Sequence, residues 1–287
     1  MYIKNTPNII NYTLNCKGKL YHITRPIVMG IINITPDSYY APSQTHTITH
    51  AVQQAVTMVQ QGATIIDVGA QSTRPGSTAL SWEQEWARLQ QPLQAIVAAL
   101  PHTIISVDTY YSQVANQAIA AGASIVNDIS GGSLDAHMLA TVAALQVPYV
   151  CTHIQGTPQS MQLNPTYDDV VQEVLDFFIH KTLACTQAGI HDVILDVGFG
   201  FGKTISHNYE LLSKLNIFNN VLGNPILVGL SRKSMVYKPL GITPELSLAA
   251  TSAIHMAALQ HGATILRVHD VAEAMQVITL WNMLQHA

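Results

Sequence analysis

Charge is scarce in this chain. Lys, Arg, Asp and Glu supply 10% of its 287 residues, and 13 basic side chains are outnumbered by 17 acidic ones, for a formal net charge of −4. A nucleic-acid backbone is held by a basic field, and none is present, so polymer binding is disfavoured. Cysteine is nearly absent as well. Cys16, Cys151 and Cys185 are odd in number, widely separated and without metal-ligand spacing, which points to reduced structural thiols. No apolar run approaches the roughly 18 residues of a membrane span. The first ten residues lack the basic flank, apolar stretch and small-residue cleavage site of a secretory signal. The expectation is a cytoplasmic protein with neither a membrane nor a nucleic-acid partner.

What the chain does have is apolar residues, 48% of the total. Its length is close to the ~250 residues of one (β/α)8 barrel, so residues 1–287 are read as a single domain. Eight short apolar runs each stop at a polar residue that a buried strand has no packing use for: Asn33, Asp67, Asp108, Asn127, His153, Asp196, Ser231 and Arg267. The runs are Ile27 to Thr35, Thr64 to Ala70, Thr103 to Thr109, Ser124 to Gly131, Pro148 to Ile154, Val193 to Phe201, Pro225 to Ser231 and Thr264 to Asp270. Each is apolar on both faces, as a parallel strand covered by helices should be. Helical patterns lie between them, among others His50 to Gln61, Trp82 to Leu100, Ser112 to Ala121, Asp135 to Leu145, Tyr167 to Ala188 and Pro244 to Gln260.

An internal repeat supports this layout. Gly62-Ala-Thr-Ile-Ile-Asp67, Gly122-Ala-Ser-Ile-Val-Asn127 and Gly262-Ala-Thr-Ile-Leu-Arg267 share one pattern, with Gly189 opening a looser copy. Each glycine falls where a helix ends in the left-handed conformation before a strand begins. An open Rossmann-type sheet would show the same alternation, but eight units without a nucleotide fingerprint after the first strand favour the α/β (β/α)8 TIM barrel. Residues 1–24, with Lys17-Gly18-Lys19 between two apolar stretches, read as a β-hairpin closing the bottom of that barrel.

A barrel gathers its strand ends on one face, where such enzymes keep their active sites. Asp108, Asn127 and Asp196 bring acceptors and an amide from three strands, a set suited to a flat heterocycle with several N–H donors along one edge. For any single aspartate, capping a loop or pairing with a cation is an equal reading, and Asp67 beside Asp108 is the case in point. Arg267 and His269 lie on the same side of an extended chain and form a candidate anion site. A salt bridge from Arg267 to Asp270 is the competing structural reading. Two loops, Asn33 to Ser38 and Gln71 to Ser77, mix Pro or Gly with hydroxyls and charge, the make-up of loops that close over a ligand. Arg74 there offers a second cation. Gly198-Phe-Gly-Phe-Gly-Lys203 allows close backbone approach to a ligand. In Ser231-Arg232-Lys233-Ser234, Lys233 can reach a heteroatom in the pocket and Ser234 can seat a carboxylate at the next helix start.

With these segments set out, the chain resembles the dihydropteroate synthases of folate synthesis. The matching stretches run in order: Met29 to Ser38, Ser72 to Gly76, Ser106 to Thr109, Asn127 to Gly132, His153 to Pro158, Gly198 to Lys203, Gly229 to Ser234 and Arg267 to Asp270. The resemblance implies Mg²⁺-dependent condensation of 6-hydroxymethyl-7,8-dihydropterin diphosphate with p-aminobenzoate, giving 7,8-dihydropteroate and pyrophosphate. It implies a pterin on Asp108, Asn127, Asp196 and Lys233, with Gly229 and Ser231 beside them. It places the diphosphate on Asn33, Arg74, Arg267 and His269, with Asn33 also ligating Mg²⁺. Thr73, Pro75, Phe201 and Ser234 line the aminobenzoate pocket in this scheme, Asp108, Lys233, Arg267 and His269 carry the catalysis, and a homodimer is expected.

The sequence departs from the family pattern at Ala70-Gln71 (usually Gly-Glu), Val197 (Pro), Thr152 (Met) and Tyr39 (Phe). Thr152 matters most, because it removes an apolar contact beneath the pterin ring. The alternatives are a non-catalytic pterin-binding paralogue and a pterin-dependent methyltransferase domain. The second has no need of a diphosphate clamp.

Overall fold

The computed structural model describes residues 10–34, 44–71 and 79–285. Its first element is a hairpin, β1 (Tyr12–Cys16) against β2 (Lys19–Ile23), in antiparallel register with Cys16 opposite Lys19. Lys17 and Gly18 both have positive φ, 57° and 83°, the backbone of a two-residue type I′ turn whose twist matches the strands it joins. The Lys-Gly-Lys reading is thus confirmed.

Eight parallel strands follow: β3 (Ile27–Asn33), β4 (Ile65–Gly69), β5 (Ile104–Asp108), β6 (Ile125–Asp128), β7 (Tyr149–Thr152), β8 (Val193–Asp196), β9 (Ile226–Val228) and β10 (Ile265–Val268). They pair in order, and β10 pairs with β3, Ile265 opposite Ile27, to close the barrel. Helices alternate with them: α1 (Gln44–Gln60), α2 (Trp82–Ala99), α3 (Ser112–Ala120), α4 (Met138–Leu145), α5 (Val170–Ala188), α6 (Ile205–Ser213), α7 (Asn216–Leu222), α8 (Ser234–Tyr237), α9 (Leu248–Gln260) and α10 (Val271–Gln285). The glycines of the repeat behave as expected, with φ of 108° at Gly62, 116° at Gly122, 95° at Gly189 and 93° at Gly262.

The elements are mostly shorter than the apolar runs suggested. The run from Val193 stops as a strand at Asp196, because Gly198, Gly200 and Gly202 all take positive φ and turn the chain into a loop. The run from Ser124 stops at Asp128, whose carboxylate accepts from the Ser130 and Gly132 amides and folds residues 129–133 into a turn. Ser231 lies beyond the end of β9 and Asp67 in the middle of β4, so neither closes its strand. Helix α5 begins at Val170, not Tyr167, because Asp169 is its N-cap and accepts from Val171 and Gln172. The segment from Pro244 forms a separate 3₁₀ turn before α9.

Two apolar layers hold the barrel. Inside it, Ile27, Met29, Ile65, Ile125, Val150, Ile194, Leu227 and Ile265 pack on one another and on Leu14, Cys16 and Ile23 of the hairpin. The hairpin therefore plugs the strand-start end, tied there also by the Asn15 amide donating to Asp192 at 2.6 Å. The outer face of each strand packs on the helices, for example Val28, Ile66, Val107 and Val228. Each such fully buried aliphatic side chain contributes about 1.5–3 kcal/mol relative to exposure. With one end sealed by apolar residues, the polar residues of the interior are confined to the strand-finish end.

Candidate active site

The interior changes character one layer above the isoleucines. Asp67 on β4 is fully buried, and its Oδ2 accepts from Arg267 Nε at 2.7 Å and from Asn127 Nδ2 at 2.9 Å, with Arg267 Nη2 in ion-pair contact at 2.7 Å. Arg267, on β10, donates its Nη2 also to Asp108 Oδ2 at 2.5 Å. Thus one guanidinium is clasped by carboxylates from two strands, and Asn127 on β6 joins from a third. Burial works against the Arg267 charge, yet Asp67 and Asp108 together raise its pKa above the ordinary arginine value. Burial also pushes the Asp108 carboxyl up to about 7, against the pull of Arg267 and with further repulsion from Asp67 and Asp128.

Across the barrel, Asp196 at the end of β8 is buried and accepts from the Gly198 amide at 2.8 Å. Its pKa is raised by burial, with Lys233 and the Gly198 N–H opposing the rise. Lys233 precedes the four-residue α8 and turns back into the pocket. Its Nζ donates to the Phe199 carbonyl, stands 4.7 Å over the Phe201 ring and is close to Gly229. Burial lowers the Lys233 pKa to about 8, with Asp196 opposing and Arg267 reinforcing the drop. Thr152 is buried at the end of β7, opposite Asp196 in register.

His269 follows β10 and is exposed, and its Nδ1 lies 3.1 Å from Ser231 Oγ, which also accepts from the His269 amide at 3.3 Å. The hydroxyl thus engages both the backbone and the ring of His269. Ser231 therefore orients His269. The competing reading of Arg267 is excluded: Asp270 is taken by Arg232 in a two-point fork, Nε to Oδ2 at 2.9 Å and Nη2 to Oδ1 at 2.6 Å. Asn33, at the exposed end of β3, and Ser234, the first residue of α8, stand at the ends of their elements as expected. Thr73, Arg74 and Pro75, and the loop residues from Thr35 to Ser38, lie outside the described residues.

Asp67, Asp108, Asn127, Asp196, Lys233, Arg267 and His269 thus come together at one end of the barrel, on or just after six different strands. Asp67, for which the sequence left capping a loop or pairing with a cation open, takes the second role as the seat of Arg267. Two groups of chemical interest were not picked out from sequence. Lys203 is buried, with its Nζ on His153 Nδ1 at 2.8 Å and on the Gly198 and Phe201 carbonyls at 3.1 Å each. Glu85, in the first turn of α2, is fully buried beside Thr109 and Asp108. Burial, reinforced by Asp108, raises its pKa to about 8, the Thr109 hydroxyl opposing.

The glycines of residues 198–203 serve a different contact from the one their spacing suggested. A Cβ on Gly198 would lie 1.9 Å from the His153 carbonyl oxygen, and one on Gly202 would lie 2.5 Å from that of Gln155. Close approach is to the neighbouring loop, so the glycines build the wall of the pocket.

Comparison with known proteins bears on this constellation. The model of the pterin binding enzyme family matches residues 29–269. The chain is 41% identical over 267 residues to the dihydropteroate synthase of Escherichia coli, with 92% of this chain and 94% of that one covered. Among solved structures, it is similar to a Xanthomonas albilineans dihydropteroate synthase with 4-aminobenzoic acid, at a TM-score of 0.88 and 38% identity, covering 96% of this chain and 99% of that one. It is also similar to dihydropteroate synthase from the same organism in complex with 7,8-dihydropteroate, at a TM-score of 0.85 and 36% identity, covering 96% and 100%.

Proposed function

The chain belongs to the pterin-binding enzyme family, in its dihydropteroate synthase branch, and we propose the following division of labour for its transferase reaction. The substrates are 6-hydroxymethyl-7,8-dihydropterin diphosphate and p-aminobenzoate. Asp196, Asn127 and Asp108 take the N–H edge of the pterin, and Lys233 donates to a ring heteroatom while resting on Phe201. Arg267 and His269, with Arg74 and Asn33, hold the diphosphate. Thr73, Pro75, Phe201 and Ser234 receive the aminobenzoate.

The bond between the pterin methylene carbon and the diphosphate oxygen breaks, and its electron pair leaves with pyrophosphate. The methylene cation shares its charge with the ring, and Asp108, in the ionised form that Arg267 favours against burial, stabilises it from the pocket wall. The aryl amine, already neutral at pH 7, attacks that carbon and then loses a proton, so no dedicated general base is required. Arg267 contributes charge to the leaving group while Asp67 and Asp108 hold its Nε and Nη2 in place.

Mg²⁺ belongs to the proposal on the chemistry of the donor set. Among the described residues no group of three or more His, Cys, Asp or Glu forms a metal cage. The Asn33 carbonyl oxygen together with substrate phosphate oxygens is the kind of hard, sparse donor set that suits this ion. When bound, it supplies neutralisation of the departing diphosphate.

A homodimer is part of the same reading, supported by Leu280, Met283 and Leu284, which leave one face of α10 exposed and apolar. No helix among the described residues is long and apolar enough to cross a membrane, and a cytoplasmic location is proposed with it.

The observation that carries the proposal is the meeting of Asp108, Asp196, Lys233 and Arg267 at one barrel mouth. It is tested by pyrophosphate release with both substrates present, with and without Mg²⁺. Release that needs both substrates and the metal is expected. Pterin binding without release would leave only a non-catalytic pterin-binding role.

A further inference from the structure

His153 and Lys203 have no part in the reaction as set out above, yet both are buried, at 7% and 3% exposure, directly behind the pterin pocket. The Lys203 Nζ faces only acceptors: His153 Nδ1 at 2.8 Å, the Gly198 and Phe201 carbonyls at 3.1 Å, and the His153 carbonyl at 3.4 Å. Burial pushes its pKa well below the ordinary lysine value, Asp196 opposing the drop, and the acceptors favour the protonated form. An amine presented wholly to acceptors draws together the loops that carry them, here the segments just after β7 and β8. His153 can accept only if Nδ1 is bare, so its proton is on Nε2. Burial and the adjacent Lys203 keep the ring neutral, with its pKa pushed down to about 2. Its edge packs on Phe177 at 4.9 Å.

The loop that Lys203 closes on itself is the one on which the substrate groups lean. The Gly198 amide donates to Asp196, the Phe199 carbonyl receives Lys233, and the Phe201 ring lies under the Lys233 ammonium. Displacement of residues 198–203 would therefore move a pterin contact and an aminobenzoate contact together.

We propose that His153 and Lys203 are a positioning pair, a buried imidazole–lysine clasp that fixes the loop after β8 against the end of β7 and so sets Lys233 and Phe201 for both substrates. The proposal rests on the pterin and aminobenzoate assignments given above. It requires His153 as an acceptor and not merely as a ring.

His153→Asn places a carbonyl oxygen near the position of Nδ1, whereas His153→Phe keeps the ring on Phe177 and removes the acceptor. Steady-state kinetics of the full-length enzyme with Mg²⁺ should give His153→Asn KM values within about threefold of wild type. In His153→Phe both KM values should rise about tenfold or more, the size of effect expected for one lost charge-assisted hydrogen bond, with kcat changed less. Wild-type KM values in His153→Phe, or equal impairment of the two variants, would overturn the clasp. If His153→Phe does not fold, Lys203→Met must reproduce the paired rise in KM, and wild-type values there count against the proposal in the same way. Fluorescence titration with the pterin diphosphate alone, run on the same proteins, reads pterin positioning even if wild-type turnover is absent, so failure of the clasp and failure of the reaction assignment give different results.

Discussion

Asp67→Asn is the sharpest probe of how the site is built, because the change is nearly isosteric and strikes a fully buried carboxylate that accepts from Arg267 Nε and Asn127 and pairs with the guanidinium. Those contacts all fall on Oδ2, while Oδ1 has no hydrogen-bond partner among the described residues, so the amide can keep its oxygen toward Arg267 and Asn127 and what is lost is the charge. Removing one partner of a buried ion pair costs about 3–5 kcal/mol. Here Asp108 still accepts from Arg267 Nη2, and the guanidinium is 19% exposed, so the lower end, about 3 kcal/mol, is expected. At roughly 2–4 °C per kcal/mol for a domain of this size, the melting midpoint should fall by about 6–12 °C at pH 7, measured by circular dichroism or calorimetry. The same substitution leaves Arg267 with one carboxylate in place of two and lets the guanidinium settle on Asp108, opposing both diphosphate binding and cation stabilisation. A loss of about 2–3 kcal/mol in the transition state corresponds to a fall of about 30- to 150-fold in kcat/KM for the pterin diphosphate, read by pyrophosphate release. A midpoint within about 2 °C of wild type would refute the burial argument. A lowered midpoint with unchanged kcat/KM would show that the seat of Arg267 is structural only.

Two further outcomes follow from groups whose pKa values burial displaces. Glu85 has a folded pKa raised from 4.5 to about 8, so the stability it contributes is complete below pH 4.5 and is lost as pH rises through about 8. Glu85→Gln, which copies the neutral acid, should melt with wild type near pH 4.5 and several degrees above it at pH 9, since each tenfold change in proton affinity is worth about 1.4 kcal/mol. The same difference at both pH values would contradict this. Lys233 loses its proton as pH rises through about 8, so kcat/KM for the pterin diphosphate should decline above that pH in both wild type and Glu85→Gln. A profile flat to pH 10 would remove the charged Lys233 from the mechanism.

Much of the barrel is legible before any coordinate is known, because parallel strands buried on both sides must be apolar throughout and the glycines of the repeat mark where helices turn into them. The candidate site is legible at Asp108, Asn127, Asp196 and Arg267, since polar residues at those points have no packing purpose. What cannot be read is pairing across the ring. Asp67 and Arg267 are 200 positions apart, and Asp270 is the sequence-near partner for Arg267, yet Arg232 takes it. Glu85 is hidden for another reason. An acid in the first turn of a helix reads as a solvated residue favoured by the helix dipole. The available signal is its spacing: Glu85, Leu89, Pro92, Leu93 and Ile96 form a single buried stripe of α2. Lys203 likewise reads as the tail of a glycine loop until its four acceptors are located.

The pairing of β10 with β3 has a consequence for when the enzyme becomes an enzyme. Asp67 and Asp108 are contributed early along the chain, but the guanidinium that balances them arrives on the last strand to be made. A growing or truncated chain without β10 lacks both a stave of the barrel and the counter-ion of its mouth, and would leave acidic groups facing one another uncompensated. Ring closure and catalytic competence are therefore acquired in the same step, and the appearance of turnover is a direct report on the completion of folding.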